Sequence, residues 1–484
     1  MRISPVVKEL RKIVGAEAVL DQPEDLMLYE YDAGLSTGTP EVIVFPETAE
    51  QVSQIARLAS RMKVPLVPRG AGTGLSGGSI PRAGGIVLVF SRMTRILDID
   101  APNRRAVVQP GVVNADLSAA VAQHGLYFAP DPASQKASTI GGNVAENSGG
   151  AHTLAHGVTV DHITGLEVVL PDGRVAQMGG KALDSCGYDL TGLFVGTEGT
   201  VGLVTAITVK LTRVAEAVET LLAIFNTIDD AANTVASITS AGITPVALEM
   251  LDGKTLRCVE EATHAGYPMD SGAVLLIELE GLREAVTEQA EAVRAVCQQH
   301  QAREVRRAAN EPERQLLWKG RKTAFAALGR LAPAYYTQDG VVPRSHIAKV
   351  LRYIGTVAEK CKLEIGNIFH AGDGNLHPCI LFDMRDPDQV ERTHRAGRMI
   401  LQYCVDCGGT ITGEHGVGME KNELMPLLFT DDDLAVMKRV HDAFNPNSVL
   451  NPQKLFPTPR SCRETNIADV AHAPSRVNDR GGPR

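Results

Sequence analysis

Hydrophobic positions recur along the chain with two periods, and each period predicts a different element. Residues 48–62 place Val52, Ile55, Ala56 and Ala59 on one face, with Thr48 and Gln51 at the spacing of a capping box, so a helix is predicted there. Val64–Val67 reads as a short strand and Ile86–Phe90 as a buried one. Residues 115–124 predict a second helix that stops at Gly125. Ile163–Leu170 is a strand, Pro171-Asp172-Gly173 a turn, and Arg174–Met178 the returning strand. Val201–Leu211 alternates as a half-exposed strand does. Residues 1–213 therefore read as one α/β unit with glycine-rich connections.

Beyond residue 213 short strands and helices alternate. Leu221–Phe225, Pro245–Leu251, Ala273–Gly281 and Arg303–Ala308 are strands; Asp229–Ala241, Lys254–Thr263 and Leu282–Gln301 are helices. The predicted class is α+β, with an antiparallel sheet covered on one face, over residues 214–420. Residues 312–420 carry glycine-rich loops again, and Asp431–Phe456 is the last stretch expected to be ordered. Residues 458–484 offer little to bury and are expected to form a mobile tail.

Composition narrows the class. At 484 residues and 44% apolar the chain can bury several cores. No apolar run approaches the roughly 18 residues of a membrane span, so no intrinsic anchor is expected. The first residues lack a continuous apolar stretch, which argues against a secretory signal. The net charge of −9 is spread out and no basic block points to nucleic acid. Eight scattered cysteines suit a reducing compartment, hence the cytoplasm. Cys404 and Cys407 form a CxxC without the second pair that a zinc or cluster site requires.

Three glycine clusters stand within about 130 residues: Arg69–Gly78, Pro130–Ser134 leading into Ile140–Gly150, and Gly196–Gly202. Glycine lets backbone approach a ligand closely, and successive exposed N–H groups form a nest for a pyrophosphate. None of the clusters is a G-x-G-x-x-G opening a helix with an acidic residue about 20 positions on, which disfavours a Rossmann NAD site. The residues themselves imply a phosphate-bearing cofactor and go no further.

A second constellation is His370-Ala-Gly-Asp-Gly-Asn-Leu-His377 with Gly413-Glu414-His415-Gly416. Two imidazoles and a carboxylate suit Zn²⁺, Mn²⁺ or Fe²⁺. Three protein ligands leave positions open, as a catalytic metal site needs. Spacing alone favours two loop histidines bonded to backbone and an ordinary surface glutamate over a metal.

The motifs PRGAGTGLSGG, APDPASQ, IGGNVAENSGG, GTEGTVG, HAGDGNLHP, GEHGVG and LNPQK together resemble the FAD-linked oxidases of the vanillyl-alcohol oxidase superfamily over residues 20–457. Within it the chain looks most like the branch of flavin-carrying D subunits of glycolate oxidase, next to the FAD-linked D-lactate dehydrogenases. The resemblance implies a two-subdomain FAD-binding domain (1–213), an α+β substrate or cap domain (214–420), and a C-terminal segment (421–457) that returns to the FAD domain. It implies that Arg69, Gly70, Ala71, Gly72, Thr73, Gly74 and Ser76 hold the pyrophosphate. Pro130, Asp131, Thr139, Gly142, Asn143, Gly149 and Gly150 would line the isoalloxazine and ribityl side. Glu198, Gly199, Gly202 and Val204 would hold the adenine end, and Asn451 would close the site. Thr73 stands where some relatives attach flavin through a histidine, so the FAD is expected to be non-covalent.

The resemblance also makes His370, His377 and Glu414 the ligands of a divalent metal and His415 the base. Oxidation of a 2-hydroxy acid needs the hydroxyl proton to leave as a hydride passes from C2 to flavin N5. A metal lowers the hydroxyl pKa, and an imidazole accepts its proton. Arg321 is the candidate for the substrate carboxylate. In the D-2-hydroxyglutarate branch a lysine and an asparagine occupy positions that align with Thr337 and Cys379 here. Both departures point to a small monocarboxylate: glycolate, or D-lactate as the alternative. The electrons are expected to pass to a partner or a quinone. The implied partners are a second flavin-type subunit and an iron–sulfur subunit, and any contact with the inner membrane would come through them. An assembly subunit inactive without its partners is the reading from another class.

Overall fold

The computed structural model describes residues 4–182 and 187–457, so the tail expected at 458–484 lies outside the described residues. Strands Val42–Val44, Ile86–Val89 and Leu66–Arg69 form a parallel sheet in that order, with Val19–Leu20 added antiparallel at one edge. Parallel strands need a crossover, and helix Ala49–Met62 supplies the one between Val42–Val44 and Leu66–Arg69. Its start follows the sequence closely. Thr48 accepts the Gln51 backbone N–H at 3.2 Å, while the Gln51 side chain accepts the Glu47 N–H at 2.7 Å. The box thus closes one residue earlier than the sequence pattern implies. Val52, Ile55, Ala56 and Ala59 are buried under the sheet, packed with Val6, Val7 and Leu10.

A second, five-stranded antiparallel sheet runs in the order Ile96–Asp100, Arg105–Val108, Leu203–Lys210, Ile163–Val169, Val175–Gly179. Strand Leu203–Lys210 alternates buried and half-buried residues along its length, as a sheet with one covered face should. Helix Asn114–Val121, extended by a 3₁₀ turn to His124, and helix Ile140–Glu146 pack on that face.

From Ala217 onward the chain builds an eight-stranded, wholly antiparallel sheet. Its path is Glu304–Arg307, Ala217–Phe225, Ala273–Gly281, Ala247–Asp252, Glu364–His370, Asn375–Phe382, Ala334–Thr337, with Gly340–Val341 also paired to Asn375–Phe382. Helices Ile228–Ser240, Arg283–Gln299, Ile347–Cys361 and Pro387–Asp406 cover one face. Helices Gly253–Thr263 and Glu311–Leu328 pack on the other. This corrects the expectation of a sheet covered on one face only. Strands such as Ala273–Gly281, apolar at almost every position, have no wet side to offer. Residues 312–420 carry glycine-rich loops around 372–374 and 408–418, but three of these helices also lie there, which the sequence reading did not place. Cys404 and Cys407, the CxxC pair, are buried among the apolar residues of the four-helix face.

The last described segment crosses back. Leu66 exchanges backbone bonds with it (Leu66 N to Val449 O 2.9 Å, Asn451 N to Leu66 O 2.9 Å), and Lys454 Nζ donates to the Ile80 carbonyl at 2.7 Å. The Asn451 side-chain amide donates to both Gly78 O (2.8 Å) and Glu198 O (2.6 Å), tying the first glycine loop to the third.

Candidate functional site

The three glycine clusters, far apart in sequence, come together because each sits at the end of a strand or helix whose partner sheets meet there. Gly70 follows strand Leu66–Arg69 directly; a Cβ on it would lie 2.5 Å from Thr139 Oγ1, so only glycine lets the first cluster touch the second. Thr139 caps helix Ile140–Glu146, accepting the Gly142 N–H at 3.2 Å. Together the clusters wall a cavity of about 370 Å³.

The opposite wall of the same cavity carries Arg321, Phe325, Tyr335, Thr337, His370, His377, Glu414 and His415. Strand register brings the two histidines together. Glu364–His370 and Asn375–Phe382 form a hairpin in which His377 faces Ile368 and His370 faces Asn375. His370 and His377 therefore project from one face as diagonal neighbours, which seven residues of sequence separation does not reveal. On the adjoining strand Glu249 is the direct partner of His370.

The donors converge. His370 Nε2 lies 3.2 Å and His377 Nε2 3.1 Å from Glu414 Oε1. Each imidazole is held by its other nitrogen: His370 Nδ1 is 2.9 Å from a Glu249 carboxylate oxygen, and His377 Nδ1 3.2 Å from the Gln338 carbonyl. That arrangement leaves both Nε2 atoms facing one carboxylate oxygen, the donor set a borderline divalent cation takes. Burial alone would disfavour a charged His370, but Glu249 and Glu414 outweigh it and hold its pKa well above the usual value. Burial likewise works against ionised Glu414, yet His370 and His377 keep it well below the usual range. His415 stacks on His377 with ring centroids 4.9 Å apart and planes 6° from parallel. Burial, aided by His377, pushes its pKa down to about 4 against the pull of Asp339, so the ring is neutral near pH 7.

Arg321 is 4% exposed, and one guanidinium nitrogen lies 2.5 Å from Glu249 Oε2. Its Nε has no hydrogen-bond partner among the described residues. Thr337 Oγ1 meets Cys379 Sγ at 3.5 Å, so these two side chains satisfy one another.

Of the residues expected at a flavin, Arg69, Gly70, Ala71, Gly72, Thr73, Gly74, Thr139, Gly142, Asn143, Glu198, Gly199, Gly202 and Val204 line the cavity. Asn143 Nδ2 and Ser138 Oγ, both buried on this wall, have no partner within the described protein. Orphaned donors beside a glycine cradle suit a polar cofactor such as FAD. The remaining residues lie behind the wall. Arg69, although it reaches the cavity, turns its guanidinium to the Tyr31 carbonyl (2.8 Å) and over the Tyr29 ring. Ser76 donates to Glu146 (3.2 Å), and the Pro130 carbonyl accepts from Asn114 (2.8 Å). Asp131 pairs with His152 (2.8 Å), and a Cβ on Gly150 would press on the Asp131 backbone. A Cβ on Gly149 would come within 2.8 Å of Glu414 Oε2, so that glycine lets the second cluster meet the metal-type cluster. Asn451 stitches loops together as described above.

Sequence reasoning missed Glu249, Gln338, Asp339, Phe325, Tyr335 and Glu146. The last is a half-buried acid on the cavity wall whose pKa is held well above the usual range, by desolvation first and then by the neighbouring Glu198. Only Asp339 carried a signal, a lone acid directly before the uncharged run Gly340-Val341-Val342-Pro343.

Comparison with known proteins agrees with this architecture. Residues 40–179 match the family described as "FAD binding domain" and residues 214–455 the family "FAD linked oxidases, C-terminal domain". The chain is 45% identical to the glycolate oxidase subunit GlcD of Escherichia coli K12, over 96% of this chain and 94% of that one. It is 44% identical to the Bacillus subtilis subunit GlcD over 93% and 96%. With the mitochondrial D-lactate dehydrogenase [cytochrome] of Arabidopsis thaliana it shares 32% over 87% and 74%. Among solved structures it resembles p-cresol methylhydroxylase (TM-score 0.79, 17% identity, 94% and 96% covered). It also resembles 4-ethylphenol oxidase from Gulosibacter chungangensis (TM-score 0.77, 21% identity, 94% and 97% covered). At these identities the last two speak for the fold alone.

Proposed function

The chain belongs to the FAD-linked oxidases, and from that premise we propose that it is an FAD-dependent, metal-assisted dehydrogenase of a small 2-hydroxy monocarboxylate, glycolate first. The observation that carries the reading is the meeting of His370 Nε2, His377 Nε2 and Glu414 Oε1 on one wall of a cavity whose other wall is the glycine cradle. In it the glycine loops and Asn143 would hold FAD, and His370, His377 and Glu414 would hold a divalent cation, Zn, Mn or Fe. FAD supplies a hydride acceptor at N5, and the cation supplies positive charge beside the substrate oxygens. Arg321 binds the substrate carboxylate from the cap side and so orients C2. His415, held neutral by its burial, takes the hydroxyl proton at Nε2, the nitrogen on the Glu414 side. Phe325 and Tyr335 exclude water from the reacting face.

A panel of glycolate, both lactates and 2-hydroxyglutarate, assayed by dye reduction on metal-replete enzyme, tests the substrate. Glycolate should lead and 2-hydroxyglutarate should be poor. A lead by D-lactate would favour the second reading, which the Arabidopsis relative supports. Chelation should abolish turnover while the flavin absorbance stays, and full activity of a His370→Ala, His377→Ala double variant would remove the metal from the reaction. Acid precipitation should release the FAD into the supernatant.

The proposed partners are a second flavin-type subunit and an iron–sulfur subunit. Support comes from the relatives that are named subunits. The six described cysteines are all buried, and no candidate metal group among the described residues contains one. Dye reduction by the purified chain alone separates a competent dehydrogenase from a subunit that needs assembly. Among the described residues no helix is long and apolar enough to cross a membrane. The proposed location is the cytoplasm, with membrane contact through partners, which cell fractionation with and without those partners would check.

A further inference from the structure

Asp339 lies behind the site, 0% exposed, and accepts hydrogen bonds from five donors. These are Thr412 Oγ1 (2.5 Å), the backbone N–H groups of Gly413 (3.1 Å), Glu414 (3.3 Å) and His415 (2.9 Å), and Lys421 Nζ (3.2 Å). Three successive N–H groups aimed at one carboxylate fix the backbone of the segment that carries Glu414 and His415. The same carboxylate stands 4.0 Å from Nδ1 of His377 and 4.0 Å from Nδ1 of His415, at the shared edge of the two stacked rings. Asp339, His377 and His415 could on distance alone hold an ion of their own. Two facts speak against that. The Lys421 ammonium already occupies the carboxylate, and His377 Nδ1 is engaged with the Gln338 carbonyl.

We propose that Asp339 is a positioning residue: paired with Lys421, it sets the Gly413–Gly416 segment so that Glu414 and His415 face His370 and His377 across the cavity. Gln338 next to it aims the His377 ring through its carbonyl, so one short stretch of chain steers members of both halves of the cluster. The inference rests on the reading of Glu414 as ligand and His415 as base. Partners outside the first coordination sphere are worth roughly 10–100-fold in metal affinity or activity.

The test uses the full chain with FAD bound. Asp339→Asn keeps the size but turns an amide donor toward N–H groups and an ammonium. It should retain flavin, weaken Mn²⁺ binding measured by titration about tenfold or more, and lower kcat more than it raises KM. Asp339→Glu, which keeps the charge, should recover part of the Mn²⁺ affinity. A purely structural role would lower the melting temperature without this split between kcat and KM. Unchanged Mn²⁺ affinity and kcat in Asp339→Asn overturn the inference. If that variant fails to hold FAD, Thr412→Val removes a single donor and leaves the carboxylate; unchanged kcat and Mn²⁺ affinity in it overturn the inference equally. Glu414→Gln and His415→Gln are measured alongside. Full activity in those two would sink the functional reading, whereas their loss with an unaffected Asp339→Asn sinks only this one.

Discussion

Arg321 meets two demands with one guanidinium. It faces the cavity, and it neutralises Glu249, which is buried beneath His370. Arg321→Met should therefore fail twice. Glu249 loses its cation, and breaking such a buried pair costs about 3–5 kcal/mol. On the proposed function the substrate would also lose its carboxylate partner, so kcat/KM should fall. Arg321→Lys separates the effects: it keeps a cation for Glu249 and most of the melting temperature, but it cannot offer a planar fork, and kcat/KM should drop at least about tenfold. A Lys variant with native kcat/KM would take Arg321 out of substrate binding. At this scale the chemistry-bearing types were legible. Arg321, His370, His377, Glu414 and His415 stand out in sequence, and all five line the cavity. Glu249 did not stand out. It lies in a strand read only for its apolar residues, and its role arises from its register opposite His370.

Helix Ile140–Glu146 shows how a weak element can be made to form where it is needed. Gly141 and Gly142 in its first turn lower its intrinsic stability, and a Cβ at 141 would collide with Pro110. Thr139 compensates as N-cap. Thr139→Val should cost about 1 kcal/mol of local stability and weaken FAD retention, while Thr139→Ser should stay close to wild type. Dialysis followed by flavin absorbance reads both. Elements with plain periodicity were well predicted: residues 48–62, 273–281 and the hairpin around Gly173 appear within a residue or two of their expected ends. Helices Ile347–Cys361 and Pro387–Asp406 were not. Ile347, Val350, Leu351, Ile354 and Val357 carry a helical period, but the stretch was read only for its glycine-rich loops and no element was placed in it. Gly397 has a packing reason: a Cβ there would sit 2.9 Å from the Gln338 side chain, in the two-residue link that bears Asp339 between strands Ala334–Thr337 and Gly340–Val341.

At the scale of the whole molecule, the glycine-cluster half and the eight-stranded sheet are joined through charged groups of which Glu278 is buried and His152 and Asp131 half-buried. His152 lies between Asp131 (2.8 Å) and Glu278 (3.7 Å) and stacks on Trp318. Glu278 also accepts from Trp318 Nε1 (2.6 Å) and from Arg314 (2.8 Å). Trp318 is one turn from Arg321 on helix Glu311–Leu328, so the junction bears on the site. Burial favours a neutral His152, but Asp131 and Glu278 outweigh it and push its pKa up to about 10. A raised pKa stabilises the fold fully below the unfolded value, about 6.5, and the gain fades as pH rises toward 10. Chemical unfolding of wild type and His152→Gln should therefore differ most near pH 6 and converge by about pH 10. A difference independent of pH would show that the ring acts by packing alone.

The sequence by itself determined the class of fold, the glycine-rich loops, the family resemblance and the residue types of the candidate site. Each of these depends on local period, on glycine, or on side-chain identity. Tertiary structure alone decided that both faces of the larger sheet are covered, that the two constellations share one cavity, and which buried acids hold the histidines. Those facts depend on strand register and on long-range packing: Glu249 meets His370 across 121 positions, and Asp339 reaches His415 across 76. Sequence spacing does not encode such contacts, because a strand's partner and register are selected by everything that packs against it.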